Sequence, residues 1–296
     1  RPMYYSHLFV DPKNDDIVYL LATDFYRTEN RGTTFFEMPT RPTYDVGVHS
    51  DHHSLWINPN NSKHFYLAGD AGLHETWDYG KSYNRLNNIP IGQFYGIGVD
   101  MDSPYNIYGG MQDNHSWVGP SSTRHWLGIL SDDWRQIGFG DGMYQQPDPN
   151  SSILYNATQN GNIVRIDRKT GNIQGIKPFS SDPDDMNRYD WVTPIMISKQ
   201  SSKRVYLGGN RLFISNDSGV SWSKTKDLTK KTNRESLSIM GVLNVDTKIS
   251  KNDGTSSYGE IISMDESPLW YKILWVGTDD GNVQVSKDGG KNWNEV

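Results

Sequence analysis

One turn is written several times along the chain, and its recurrence limits the possible folds more than any other property of the sequence. The clearest copy is the last. Ser286-Lys-Asp288-Gly-Gly290-Lys-Asn292-Trp293 follows an alternating strand with Val283 and Val285 and has the S-x-D-x-G-x-T-W pattern of an Asp box, with Asn292 in the threonine place. Its glycines permit positive φ, its aspartate can accept bonds from turn amides, and its tryptophan fills the space beside the strand. A single octet says little. Ser215 to Trp222 and Thr76 to Tyr83 repeat it, and Thr28 to Phe35 is a degenerate form.

The octets close units of about 40 to 50 residues, the period of a propeller or an array. In each unit an apolar strand ends in a Pro, Asn or Asp turn, a second strand bearing Tyr or Leu ends in Gly, Asp or Asn, and a hairpin leads to a third strand and the octet. The first copy has His7 to Pro12 and Ile17 to Ala22; the second has Leu55 to Pro59 and Phe65 to Gly72. The third has Gly96 to Asp100 and Ile107 to Asn114, with its octet decayed to Ser131 to Trp134. The fourth has Gly142 to Pro149, Ile153 to Gly161 and Asn162 to Ile166, turning at Asp167 to Gly171. The fifth has Thr193 to Ser198 and Val205 to Gly209, and the sixth Glu260 to Asp265 and Ile273 to Gly277.

Six copies of a four-stranded unit predict an all-β chain, a β-propeller of four-stranded blades rather than a sandwich. Two stretches are too long for tight turns. Residues 224–257 read as an insertion loop before the last blade, carrying a short helix or a hairpin, and residues 114–134 as a long loop over the polar face. Arg1 begins directly before an innermost strand, and Val296 ends where the outer strand of the sixth copy forms. Open strand edges are poor end points, so the expectation is one propeller over 1–296, incomplete at both ends and completed by the rest of its polypeptide or by a partner chain.

Composition narrows the function classes. A chain that is 35% hydrophobic and 12% aromatic suits many short, half-exposed strands. Its formal charge of -6, with no compensating basic run, excludes the electrostatic footprint of a nucleic-acid binder. No apolar stretch approaches the roughly 18 residues of a direct membrane span. With no cysteine there is no disulfide framework and no thiol nucleophile.

The blade pattern sorts residues by end, because the start of the first strand and the turn after the second lie together, opposite the Pro/Asn turn and the octet. The polar end collects Ser6, Asp51, His52, His53, Tyr95, Asp141, Asp190 and Trp191 from strand starts, and Asp24, Asp70, Gln112, Asp113, Asn114, Asn160, Asn210, Asp279 and Asp280 from hairpin turns. No glutamate is counted in this set, and Arg124 is the best-placed arginine. Asp51-His52-His53 offers metal or proton-transfer chemistry, but adjacent strand residues point to opposite sides, so structural hydrogen bonding is the competing reading. Asp141, between Gly140 and Gly142, reads as a turn former or as an acid. Ca2+ is conceivable at the Asp-rich turns, although no loop has a dedicated calcium pattern and no metal ligand is assigned.

Asp78, Asp217 and Asp288, with Trp222 and Trp293, read as structural members of their octets. Tyr19, Tyr66, Tyr108, Tyr155 and Tyr206 belong to second strands. Trp117, Arg124, Trp126 and Trp134 are left over, and all lie on the 114–134 stretch, which reads either as a ligand-contacting loop or as a packed lid.

Several longer tracts carry a family resemblance: Asp51 to Pro59, Pro90 to Tyr95, Tyr105 to Asn114, Gly140 to Met143, and Glu266 to Pro268 followed by Val276 to Asn282. From about Ser6 to Trp293 the chain resembles the bacterial sortilin-like proteins, Asp-box or bacterial neuraminidase repeat propellers often labelled glycosyl hydrolases. The resemblance implies a propeller of seven or more blades, of which six are visible. It implies no activity, and the chain has no counterpart of the cysteine-rich module of eukaryotic sortilins.

Three functions follow as expectations. The first is a secreted, periplasmic or cell-surface binding module for a glycan or peptide, using His52, His53, Tyr95, Asp113, Asn114, Trp117, Arg124, Trp126 and Trp191. The second is a glycoside hydrolase, which needs two carboxylates roughly 5 to 10 Å apart, supplied from Asp51, Asp141 and Asp190. The third is a structural component of a larger surface protein. A strict sialidase, with three arginines and a Tyr–Glu pair, is disfavoured.

Overall fold

In the computed structural model, the described residues are 7–40, 47–70, 72–86, 88, 91–230, 233–239, 241–243 and 257–296. They belong to two compact units, residues 1–91 and 92–296. The first unit holds two sheets. Blade 1 is β1 (His7–Asp11), β2 (Asn14–Leu21), β3 (Phe25–Thr28) and β4 (Phe36–Glu37), and blade 2 is β5 (His52–Ile57), β6 (Phe65–Gly69), β7 (Gly72–Thr76) and β8 (Asn84–Arg85). Alternating residues of β2 and β6 enter one core with Phe25, Met38, Val48 and Leu55, where the Tyr19 and Phe25 rings stack 5.5 Å apart.

The second unit holds four more. Blade 3 is β9 (Gly96–Val99), β10 (Asn106–Gly110), β11 (Ser116–Pro120) and β12 (Arg135–Gly138), and blade 4 is β13 (Gly142–Pro147), β14 (Ile153–Thr158), β15 (Asn162–Asp167) and β16 (Ile173–Gly175). Blade 5 is β17 (Ile195–Ile197), β18 (Val205–Gly208), β19 (Leu212–Ser215) and β20 (Ser223–Lys224). A two-stranded hairpin, β21 (Ser238–Ile239) and β22 (Val242–Leu243), precedes blade 6, which is β23 (Ile261–Glu266), β24 (Leu274–Thr278), β25 (Val283–Ser286) and β26 (Asn294–Glu295). All six are the antiparallel meander of a β-propeller blade, so the all-β propeller class read from the repeats is the class observed. Among the described residues, no helix is long and apolar enough to cross a membrane.

The octets at Thr76, Ser215 and Ser286 share one hydrogen-bond template. The first hydroxyl donates to the aspartate Oδ1, at 2.9 Å in Thr76–Asp78, 2.8 Å in Ser215–Asp217 and 2.9 Å in Ser286–Asp288. The amides of Gly80, Gly219 and Gly290 return to that hydroxyl at 2.8 to 2.9 Å. The degenerate octet keeps the template with Asn30 in the aspartate place, accepting from Thr28 at 2.8 Å and from the Thr34 amide at 2.9 Å. Trp222 Nε1 donates to the Ile176 carbonyl at 2.8 Å, tying blade 5 to blade 4.

Second-strand tyrosines lie in five of the six sheets, blade 6 having none in β24. Tyr19, Tyr108, Tyr155 and Tyr206 are buried, and only Tyr66 among the five stays half-buried. The acids that close first strands lock neighbouring blades. Asp100 accepts from Tyr108 and from Arg168 of blade 4, both at 2.8 Å, and Glu266 accepts from Ser198 and Tyr206 of blade 5. Of the 224–257 tract, the β21–β22 hairpin is described, while 231–232, 240 and 244–256 fall outside the described residues. Its opening is packed core, because Leu228 is buried and its carbonyl accepts from Asn282 at 2.9 Å and from Gln284.

Candidate functional site

In the first unit, the Asp51–His53 stretch is where β5 leaves the preceding blade. Asp51 N and His52 N donate to the carbonyls of Thr23 and Ala22, at 2.9 and 3.0 Å, and Asp51 adopts φ of +70°. Gly69 is required opposite it, since a Cβ there would stand 2.6 Å from the Asp51 carbonyl oxygen. The pairing shifts between His52 and Ser54, and the two imidazoles part. His53 Nε2 bonds Asp70 Oδ1 at 2.7 Å. His52 is 1% exposed with its ring 5.9 Å from Phe25, and burial pushes its pKa down to about 4. His52, expected among the ligand contacts, is therefore a neutral core residue. Ser6 lies outside the described residues.

The polar end of the second unit is built on the β10–β11 turn, where Asp113 and His115 have φ of +61° and +68°. Gln112 is held on this turn, and its Oε1 accepts from two aromatic side chains, the Tyr95 hydroxyl before β9 and Trp191 Nε1 before β17, the latter at 3.3 Å. Tyr95 is 44% exposed and Trp191 38%. Asn160 N donates to the Trp191 carbonyl at 3.2 Å, which fixes the backbone that carries the indole. Asn114 donates to the Gln112 carbonyl and its own carbonyl accepts from Trp117 Nε1 at 2.6 Å, so both shape the turn.

Asp141 Oδ1 accepts the Asp113 amide at 2.9 Å, and Asp141 N donates to Gln159 Oε1 at 3.1 Å. Asp190 Oδ1 accepts the Val192 amide at 2.8 Å, while its carbonyl accepts the Thr193 hydroxyl at 2.6 Å. Both carboxylates thus have a turn-forming role.

The 114–134 stretch does not overhang this end. Trp117 is in β11, and the connection proper begins after Pro120, between third and fourth strands, which places it with the octets at the opposite end. The Ser121 amide confirms the placement by donating 2.8 Å to the carbonyl of Tyr105, in the first-to-second strand turn. Arg124 is exposed there and Trp126 is 85% exposed. Trp134 packs within its blade: it stacks 6.0 Å from Phe94 and lies where a Cβ on Gly119 would come within 2.5 Å of its ring.

A charged cluster in the same unit was missed by the residue count. Glu260, immediately before β23, is at a strand start and so at the polar end, yet it is only 1% exposed. Arg188 reaches it with Nε at 3.9 Å from Oε1, and its Nη2 lies 3.5 Å from Asp227 Oδ2 and 3.0 Å from the Gly259 carbonyl. Burial, with the neighbouring Asp279 carboxyl, pushes Glu260 up to about 7 against the pull of Ser257 and Arg188. Burial also opposes ionisation of Asp227, but hydrogen bonds from Thr229 and Asn210 and the Arg188 charge outweigh it and lower its pKa. Arg188 sets one positive charge against the Glu260 and Asp227 carboxyls. The strand-start rule points to Glu260; no local pattern points to Arg188.

No protein-family model and no curated protein matches the chain. Among solved structures, a GH74 enzyme from Niastella koreensis is 15% identical with a TM-score of 0.43 over 98% of this chain and 46% of its own. A GH74 xyloglucanase from Xanthomonas campestris is 14% identical with a TM-score of 0.43, over 97% of this chain and 45% of its own. The extracellular domain of a one-component system from B. thetaiotaomicron is 12% identical with a TM-score of 0.44, over 99% and 33%. The chain spans less than half the length of each of these proteins.

Proposed function

We propose that the chain is the ligand-binding part of an extracytoplasmic Asp-box propeller of the sortilin-like kind, and that it takes a glycan at the polar end of its second unit. The observation that carries this reading is the shared acceptor: Gln112 Oε1 receives both the Tyr95 hydroxyl and Trp191 Nε1, holding two half-exposed rings from different blades on one polar tether. Aromatic faces fixed beside amide groups suit the alternating C–H and hydroxyl surfaces of a sugar. Binding is favoured over glycoside hydrolysis because Asp141 and Asp190 accept backbone amides, and Glu260, whose carboxyl is raised to about 7, is buried.

The test is a glycan panel with Trp191→Ala and Tyr95→Ala. Each substitution weakens binding of the best glycan by about tenfold, the scale of one lost stacking contact. Unchanged affinity in both variants, or a released sugar product whose formation needs Asp141, overturns the reading.

A further inference from the structure

At the octet end of the second unit, a groove of about 640 Å3 runs between blades 5 and 6. Its walls carry Arg204, Lys224, Lys226, Lys272 and Lys291, with Asp288 as the lone carboxylate. That balance is opposite in sign to the chain as a whole, whose formal charge is -6. The Asp288 oxygens are occupied by the Ser286 hydroxyl, the Lys291 and Asn292 amides and the Asn292 side chain. Lys224 pairs with Asp185 at 2.6 Å. Among the described residues, no carboxylate lies in ion-pair range of Lys226, Lys272 or Lys291.

The cations are set against an aromatic wall. Arg204 lies 4.2 Å above the Tyr271 ring, oriented by a 2.9 Å bond from its Nε to Asn216, and Lys272 Nζ stands 5.5 Å from the Trp270 ring and 6.0 Å from Tyr271. We propose that this groove binds an acidic polysaccharide, a sugar chain carrying carboxylate or sulfate groups. The cations pair with its anions, and the Tyr271 edge of the groove packs against its rings. Three lysines outside ion-pair range beside an aromatic wall suit a chain that alternates anions with sugar rings, and the DNA and vesicle arms of the test separate it from other polyanions. The site is separate from the Tyr95–Trp191 surface and goes beyond the function proposed for it.

The experiment titrates the chain with polygalacturonate, with neutral dextran, single-stranded DNA and anionic phospholipid vesicles alongside. Polygalacturonate binds, dextran does not, and affinity falls as salt rises. Lys226→Glu with Lys272→Glu weakens binding at least about tenfold at low salt, while Lys81→Glu, on an exposed turn of the first unit, leaves it unchanged. Lys291→Glu alone repeats the direction should the double variant be poorly folded. Absence of polygalacturonate binding, indifference to these reversals, or tighter binding of DNA or vesicles overturns the proposal. So does loss of polygalacturonate binding in Trp191→Ala, which places the ligand at the polar end and leaves the glycan reading of that surface standing.

Discussion

Asn292 donates its side-chain amide to Asp288 Oδ2 at 2.7 Å, the contact that the Ser82 and Ser221 hydroxyls make to Asp78 and Asp217 at 2.6 Å. The octet therefore needs a short donor at this position and accepts an amide as readily as a hydroxyl. Asn292→Thr keeps the melting temperature of the parent, and Asn292→Ala lowers it by a few degrees in a thermal scan.

The same contacts make the octets acid-sensitive. Hydrogen bonds from the Ser221 side chain and amide hold Asp217 down to about 2, and those from the Asn292 amide and side chain do the same for Asp288. An unfolded aspartate titrates near 3.8, so the folded chain binds fewer protons between about 4 and 2, and the stabilisation is present above that window and lost as pH falls through it. The melting temperature declines on acidification from pH 4 toward 2. In Asp217→Ala with Asp288→Ala the decline is shallower, from a lower start; a parallel decline in parent and variant refutes the assignment.

Arg168 is the keystone between blades 3 and 4. Its guanidinium meets Asp100 Oδ2 and the Tyr108 hydroxyl, both at 2.8 Å, and Asp100 is buried. Arg168→Ala removes the cation beside that carboxylate, which keeps its bonds from Asn106 and Tyr108, and costs about 2 kcal/mol in urea unfolding. In a double-mutant cycle with Asp100→Asn the two losses are less than additive, because each removes the same ion pair; full additivity means that the arginine acts by packing alone.

The blades were legible because each is written locally: an octet, a second-strand tyrosine and strand alternation lie within one stretch of chain, and Tyr19, Tyr108, Tyr155 and Tyr206 all take the buried place that their spacing gives. Which end of a blade a long connection occupies depends on counting strands. Counting Trp117 as loop rather than as part of β11 sends Arg124 and Trp126 to the wrong end. His52 and His53 were separable by strand parity, but that His52 enters an aromatic core follows from Phe25, a residue of another blade. Arg188 and Glu260 are likewise joined only by the packing of blade 5 against blade 6, through the Ile261 amide on the Gly209 carbonyl at 2.8 Å.

Close backbone approach between blades 3 and 4 makes a sharp contrast between two glycines. A Cβ on Gly110 would stand 2.1 Å from the Met143 carbonyl oxygen, a backbone atom that cannot turn away, whereas a Cβ on Gly277 would meet nothing nearer than Ser263 Cβ at 3.9 Å. Gly110→Ala destabilises by about 2 kcal/mol or more, and Gly277→Ala is neutral or slightly stabilising. Chemical denaturation of the two variants side by side reads the difference, and equal stabilities contradict the packing of β10 on β13.

Glu260 gives the opposite pH dependence to the octets. Burial, then Asp279, raises its pKa from 4.5 to about 7, with Arg188 and Ser257 pulling the other way and Asp227 on the far side of Arg188. Between these values the folded chain keeps a proton that the unfolded chain has released, so this residue makes stability fall as pH rises from about 4.5 to about 7, with no further loss once the folded carboxyl ionises. Glu260→Gln cannot ionise and presents a similar shape. In urea titrations across that window the variant has a flatter profile than the parent and gains on it most at the upper end, near pH 7. Profiles that stay parallel show that Glu260 is ionised throughout and that Arg188 outweighs its burial.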